Sequence, residues 1–520
     1  MQQQLGDCQA AALCEALSST DPTVSVRLNP FKWPKVKASE NGEEREYPSC
    51  IASENSQENH KTSCIASQNG QERENPSCTP CQNGEEPENT SDLPLLAASP
   101  VPWCPDAFYL PARPPFTFDP LLHAGAYYVQ DASSMFLAEV LTVASAYLPE
   151  RPVVLDLCAA PGGKSTLLRS LLPADALLLC NEPIPKRAQV LAENMTKWGH
   201  PAVVVSQNYP ADFAPLEGLF DMIVADVPCS GEGMFRKDEG AVSDWSLAAV
   251  DICSLRQRDI LSAVWSALKP GGCLVYSTCT FNRLEDEENV QWIQRHLGAD
   301  VLSVPIRPEW GIQEGEPGYH FFPHKTRGEG FYVTLLRKHD GASEPAARSA
   351  SRPFNPLRSA KTPRHAKPSG SAASPKSFIS EARQWLDGEF AFSADAATCT
   401  AFPSPFAELL PLLRQSLRVL SAGIQVGELR GRDWQPAHAL ALSTALRSGA
   451  FTEVALSYSQ SLAYLRREAI QLDAPRGLLL VSFCGQPLGF VKNLGARANN
   501  LYPQEWRIRS GYTSPFCLLQ

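Results

Sequence analysis

Three short stretches of this 520-residue chain carry residue types that could do chemistry. Leu274 to Asn282, LVYSTCTFN, reads as a buried strand that stops abruptly in Ser277-Thr278-Cys279-Thr280, delivering a cysteine from a strand end into a small polar tip. Asp226 to Gly233, DVPCSGEG, places a carboxylate, Asp226, and a second cysteine, Cys229, on a glycine-bearing loop. Asp156 to Thr166, DLCAAPGGKST, joins an apolar run to a helical pattern. Its glycines allow close backbone approach to a ligand, and a helix start offers free N-H groups. The dinucleotide and Walker spacings are both absent. The next apolar run ends in Asn181-Glu182, where a carboxylate can accept bonds from both hydroxyls of a ribose. Glycine loop and acid together point to an adenosine-containing cofactor.

The elements that must position these residues are short apolar runs alternating with helical stretches. VVLDL from Val153, ALLLC from Ala176, AVVVS from Ala202, DMIVAD from Asp221 and GCLVYS from Gly272 are near-continuous in apolar character, which predicts a parallel sheet covered on both faces. GFYVTLLRK from Gly330 alternates and fits a late antiparallel strand. In an open α/β sheet, ligands bind beyond the carboxyl ends of the strands, so the three loops are expected to share one crevice. The fold class is α/β.

Residues 1–37 hold a short helical pattern and then VSVRLNPFK, which alternates like a strand. Residues 38–98 contain an acidic repeat with a period of fourteen, in SCIASENSQEN from Ser49, SCIASQNGQER from Ser63 and SCTPCQNGEEP from Ser77. With almost no large apolar side chain such a repeat cannot offset its ordering entropy, and it reads as a disordered insertion. Residues 99–145 resume the N-terminal region and end in a helix with cap candidates in Asp131-Ala132-Ser133-Ser134. The alternating elements occupy 146–340, a basic linker 341–377, and a helical connector with a small β-rich domain 378–520, where FAELLPLLRQSLRVL reads as helix and GIQVGEL, REAIQLD and GLLLVSFCGQPLGFVKN as β segments.

The net charge of -10 is concentrated in the repeats, where residues 38–92 hold twelve acids and three bases. Residues 341–380 hold seven bases and one acid, and residues 401–520 hold twelve bases and seven acids, so a polyanionic partner such as RNA is compatible with the rest. The N-terminus has no basic segment followed by an apolar run and no stretch has the length of a membrane span, which predicts a cytoplasmic protein without a membrane partner. The sixteen cysteines then do not imply a disulfide framework. Cys78 and Cys81 form a lone CxxC, and without a second ligand pair no metal is expected.

A single cysteine among sixteen is weak evidence for a nucleophile. Two cysteines and one carboxylate facing a bound cofactor are stronger, because that set suits the alkylation of an unreactive ring carbon. Carbon 5 of cytosine becomes nucleophilic only after a thiolate adds to carbon 6, and a base must later remove the carbon 5 proton so that the thiol can leave. Methylation of an exocyclic amino group, suggested faintly by DVPC, and a noncatalytic RNA-binding role in ribosome assembly are the alternatives.

DLCAAPGGK, NEPxxxR from Asn181, DVPCSGEGMFRKD, YSTCTFNxxEDE from Tyr276 and FPHKTRGEGF from Phe322 occur in order, and in them the chain resembles the Nop/Sun family of RNA 5-methylcytosine methyltransferases, above all its bacterial 16S rRNA branch. The resemblance implies a class I, Rossmann-like methyltransferase fold using S-adenosylmethionine, with a C-terminal PUA-like RNA-binding module. It implies a cofactor lying on Cys158, Ala159, Ala160, Pro161, Gly162, Gly163 and Lys164, its ribose on Glu182, with Asp226 near the methyl donor and the target base. Cys279 is implied as the nucleophile and Cys229 as the residue that releases product. The chain departs from the family after the third strand, where Gln207-Asn208-Tyr209-Pro210 stands in place of a usual acid.

Overall fold

The computed structural model describes residues 6–33, 98–341, 375–431, 433–511 and 517–518. The acidic repeats and nearly all of the basic linker lie outside these described residues.

Five parallel strands organise the molecule: β1 (Val153–Asp156), β2 (Leu177–Asn181), β3 (Val203–Ser206), β4 (Phe220–Asp226) and β5 (Leu268–Thr278). Their order is β5-β4-β1-β2-β3. Because strand side chains alternate, Val154, Leu178, Val205, Val224 and Val275 enter one core while Leu155, Leu179, Val204, Ile223 and Leu274 enter the other. Both faces are buried, which explains why these runs are apolar throughout rather than alternating. Helices α1 (Gly163–Leu171), α2 (Pro185–Trp198) and α3 (Leu247–Val264) supply the crossovers. The order reverses between β1 and β4, and a crevice opens there beyond the strand ends.

β6 (Phe331–Lys338) runs antiparallel to β5, pairing Tyr332 with Thr278, as its alternating pattern predicts. Strand Gly318–Phe321 follows it in the sheet.

The segment expected to form a single helix from Phe406 behaves differently. It makes a helix over Leu409–Ser416, and then β7 (Val419–Ala422) pairs antiparallel with β3, extending the central sheet at its far edge. An uncovered β3 would present unpaired backbone groups, and Leu410, Leu413 and Leu417 pack into the same core as Leu155. REAIQLD is not a strand either; Ile470 makes only an isolated bridge to Ala498. GIQVGEL lies in one four-stranded sheet, as Ile424–Arg430, and GLLLVSF in another, as Gly477–Phe483.

Strands Val24–Leu28, Ser99–Pro100, Ala107–Leu110 and Tyr127–Val129 form a separate antiparallel sheet. Its apolar residues Val26, Leu28 and Phe108 share a core with Leu479, Val481 and Leu488, so the two ends of the chain pack together. Tyr458 Oη donates to Phe118 O over 3.0 Å and Leu518 N to Asp119 Oδ2 over 2.9 Å, satisfying polar groups at that contact. Among the described residues no helix is long and apolar enough to cross a membrane.

Candidate active site

The β4 and β5 loops meet. Cys229 Sγ and Cys279 Sγ are 3.0 Å apart, and Cys279 N donates to Cys229 Sγ over 3.3 Å. Both are free thiols, well beyond the ~2.05 Å of a disulfide bond. The Cys229 thiol is pushed well above its ordinary value, first by its hydrogen bond with Cys279 and then by burial. Cys229 is therefore held as the neutral thiol, and either sulfur of the pair can be the donor in their contact.

Glu285 supplies much of the clamp between the two loops. Its Oε2 accepts from Ser230 N over 3.0 Å and from Gln257 Nε2 over 2.8 Å, and the same Gln257 nitrogen reaches Pro228 O over 3.0 Å. Ser230 Oγ and Thr280 Oγ1 lie 2.9 Å apart across the junction. Gly233 N donates to Cys279 O over 2.9 Å, and a Cβ at Gly233 would stand 2.6 Å from Gly330 O, so this approach requires glycine. Glu232, buried, accepts from Phe281 N over 3.1 Å and from Trp245 Nε1 over 3.0 Å. None of these contacts uses either sulfur, so the two loops are held together without engaging the reactive groups.

Asp226 stands at the end of β4. Lys164 Nζ lies 2.8 Å from its Oδ2 and Ser277 Oγ donates to its Oδ1 over 2.7 Å. Burial would lower the Lys164 ammonium, but Asp226 outweighs burial and the pKa sits above its usual value. Lys164 also rests 5.0 Å from the centre of the Phe331 ring. The glycine loop thus touches the Asp226 loop directly.

The loop Cys158–Lys164 joins β1 to α1, with Gly162 in the left-handed region at φ 118°. Arg187 Nη2 donates to Ala160 O over 3.0 Å and Asn194 Nδ2 to Pro161 O over 2.8 Å, so α2 holds the loop from one side. Ala159 is nearly buried, and burial raises the thiol of the half-buried Cys158, which stays neutral. Glu182, at the end of β2, accepts from Ile184 N over 3.0 Å and pairs with the exposed Arg187 over 3.4 Å. Asp156 is fully buried; Ser165 Oγ donates to its Oδ2 over 2.6 Å while Oδ1 has no protein partner. Burial raises Asp156 to about 7. An unpartnered buried carboxylate oxygen beneath a glycine loop, with a second carboxylate on the neighbouring strand, is a donor set that fits an amino- and hydroxyl-bearing cofactor such as S-adenosylmethionine.

Several supports were not visible in the sequence. Arg27, 1% exposed, reaches from the N-terminal sheet to Thr166 Oγ1 over 2.7 Å and Gln130 Oε1 over 3.1 Å, tying that sheet to α1. Arg236, in FRKD, pairs with buried Glu329, in RGEG, over 2.8 Å. Asn208, where an acid is usual, accepts from Arg418 N over 2.9 Å and donates to Arg418 O over 3.4 Å, a pairing with the residue before β7 in which a carboxylate could only accept. Tyr209 is exposed. The signal for Arg27 was a charge on an alternating strand face, and for Glu285 its place in the acidic run after Cys279.

A parallel sheet of order 3-2-1-4-5 closed by an antiparallel strand, with a glycine loop after the first strand and an acid after the second, defines a class I S-adenosylmethionine-dependent methyltransferase. Family models described as 16S rRNA methyltransferase RsmB/F, N-terminal domain of 16S rRNA methyltransferase RsmF and Methyltransferase RsmF PUA domain match residues 147–337, 75–132 and 451–508. A protein called Ribosomal RNA small subunit methyltransferase F from Cronobacter sakazakii is 32% identical over 427 residues, covering 78% of this chain and 84% of its own length. One of the same name from Klebsiella pneumoniae is 32% identical over 425 residues, with the same coverage. The solved structure of a methyltransferase homolog protein from Pyrococcus horikoshii is 21% identical, covers 65% of this chain and 92% of its own, and has a TM-score of 0.45. The chain belongs to the 16S rRNA methyltransferase RsmB/F family.

Proposed function

We propose that this protein methylates carbon 5 of a cytosine in small-subunit ribosomal RNA, in the cytoplasm, through a covalent bond between Cys279 and carbon 6 of the base. The observation that carries this reading is the 3.0 Å contact between Cys229 and Cys279 beside the Asp226-Lys164 pair. Amino methylation needs no nucleophilic thiol, and a noncatalytic binding role needs neither.

S-adenosylmethionine, when bound, supplies the methyl group. Cys158 to Lys164 would line its cradle, and Glu182, now paired with the exposed Arg187, would accept from the ribose hydroxyls. The Cys279 sulfur adds to carbon 6, and the electron pair displaced toward the ring makes carbon 5 nucleophilic. Asp226, held by Lys164 and Ser277, accepts from the amino group at the polar edge of the base and orients the ring, while the Lys164 ammonium beside it is the donor that steadies the added charge. After methylation, Cys229 gives its own proton to water and, as the thiolate, removes the carbon 5 proton; the ring double bond re-forms and the carbon-sulfur bond breaks, returning Cys279 as a thiolate. The largest cause of the raised Cys229 pKa is Cys279 itself. Once that sulfur is bonded to carbon it no longer carries charge or shares a proton, and Cys229 becomes easier to ionise at the step that needs a base. The base must be extruded or unpaired to reach both sulfurs.

Bisulfite sequencing of ribosomal RNA from cells with and without the gene tests the proposal. A protected cytosine that depends on the gene is expected; identical protection in both samples would rule it out.

A further inference from the structure

Immediately after the Cys279 loop, Asp286 and Glu287 enter the interior beside His320, which comes from strand Gly318–Phe321. The three residues are 0%, 8% and 4% exposed, and each offers a ligand atom within 4.8 Å of the others. Asp286 Oδ1 accepts from Thr278 Oγ1 over 2.6 Å, and His320 Nε2 lies 2.8 Å from Glu287 Oε1. That leaves Asp286 Oδ2, Glu287 Oε2 and His320 Nδ1 buried with no protein partner. Among the described residues, no lysine or arginine pairs with either carboxylate; His320 is the only ion-pairing partner recorded.

Buried polar atoms without partners are costly, and two of these, Asp286 Oδ2 and Glu287 Oε2, belong to neighbouring carboxylates. Each unsatisfied group keeps an uncompensated desolvation penalty, larger when charged, and adjacent ionised carboxylates repel each other in a poorly solvated interior. A single imidazole, already engaged with Glu287 Oε1, leaves each carboxylate with an unpartnered oxygen. A divalent cation bound by one atom from each of the three side chains satisfies the cluster and balances two ionised carboxylates.

We propose that Asp286, Glu287 and His320 form a structural site for one divalent transition-metal ion. Mixed carboxylate and imidazole donors suit zinc, manganese or iron(II) better than calcium or magnesium, which take oxygen ligands alone. The ligands are 33 residues apart across the fold, so no spacing in the sequence announces them. An ion there fastens strand Gly318–Phe321 to the start of the helix Glu287–Trp292. Through the bond from Thr278 to Asp286 it also fixes the residue before Cys279, while neighbouring Glu285 holds the Cys229 loop. The ion is a positioning device for the two sulfurs and takes no part in bond making. This inference stands independently of the assigned reaction.

The test uses the full-length chain stripped with a chelator and titrated with manganese(II), which binds thiols poorly and so avoids the sixteen cysteines. The loss of the free-ion electron paramagnetic resonance signal reports binding, and thermal unfolding reports linkage. One ion bound per chain is expected, with a rise in Tm of several degrees at saturation. Asp286→Asn, which retains the shape and an acceptor for Thr278, and His320→Gln should each weaken binding by at least a factor of ten and abolish the Tm rise. Two results would overturn the site: no binding and no Tm rise in the unaltered chain, or the same binding and rise in whichever of the two variants folds.

Discussion

Replacing Cys229 by alanine is the perturbation for which the geometry makes the sharpest forecast. Cys229 sits 3.0 Å from Cys279, with its loop held independently by Ser230, Gln257 and Glu285, so removing one sulfur leaves the fold and the attacking group in place. Attack and methyl transfer then proceed, but no base remains at the position from which the carbon 5 proton departs. General base catalysis contributes typically 10²–10⁴ in rate, or about 2.7–5.5 kcal/mol at 1.36 kcal/mol per decade. Release should slow by that factor and become rate-limiting, so that the covalent protein-RNA species accumulates to nearly one per active chain. The assay mixes end-labelled ribosomal RNA with excess S-adenosylmethionine and Cys229→Ala protein and reads a denaturing gel. A slow band carrying both protein and methyl label is expected, and it should vanish in the Cys229→Ala, Cys279→Ala double variant. Release by Cys229→Ala within threefold of the unaltered rate, with no slow band, would refute the division of labour between the two sulfurs.

Three other perturbations follow from the same contacts. Asp226→Asn keeps the bond from Ser277 but leaves the largely buried Lys164 ammonium without its counter-charge, so methyl transfer should fall by roughly 10²–10⁴ and Tm should fall with it; equal activity would remove Asp226 from the mechanism. Glu285→Gln loses a charge-assisted bond to Ser230 N, worth roughly 1.5–3 kcal/mol, and should lower both Tm and turnover, a shift that thermal unfolding and methyl-transfer assays read together. Lys32, whose ammonium burial lowers to about 7, has an ordinary unfolded value near 10.4. Between those values the unfolded chain binds more protons, so its contribution rises with pH above about 7 and is flat below. The unfolding free energy of the native chain should therefore gain on that of Lys32→Met by roughly 1 kcal/mol per unit from pH 7 to 9, less than the full 1.4 because the side chain is only part-buried; parallel curves would contradict the shift.

The central sheet was legible because VVLD, LLLCN, VVVS and FDMIVAD are buried on both faces, and unbroken apolar runs separated by helices have few other solutions. The crevice was legible for a related reason, since each reactive residue closes a strand and strand ends in such a sheet converge. What escaped notice depends on contacts distant in sequence. Val419–Ala422 follows a helix and has no polarity of its own, so its pairing with β3 is decided by an edge 210 residues earlier, where Asn208 meets Arg418. Arg27 is spread over partners between 103 and 143 residues away, and its one local mark, a charge on an alternating strand face, does not tell a buried arginine from an exposed one. The same is true of His320 beside Glu287. Local pattern reveals which face of an element is apolar; it does not reveal which other element that face will meet.

The central claim, that Cys279 attacks the base, is tested most directly by digesting the small-subunit ribosomal RNA product to nucleosides and locating the transferred methyl by mass spectrometry. The unaltered protein should yield 5-methylcytidine and Cys279→Ala none, while still binding S-adenosylmethionine by calorimetry. Methyl on the exocyclic nitrogen, or 5-methylcytidine formed at an undiminished rate by Cys279→Ala, would contradict it.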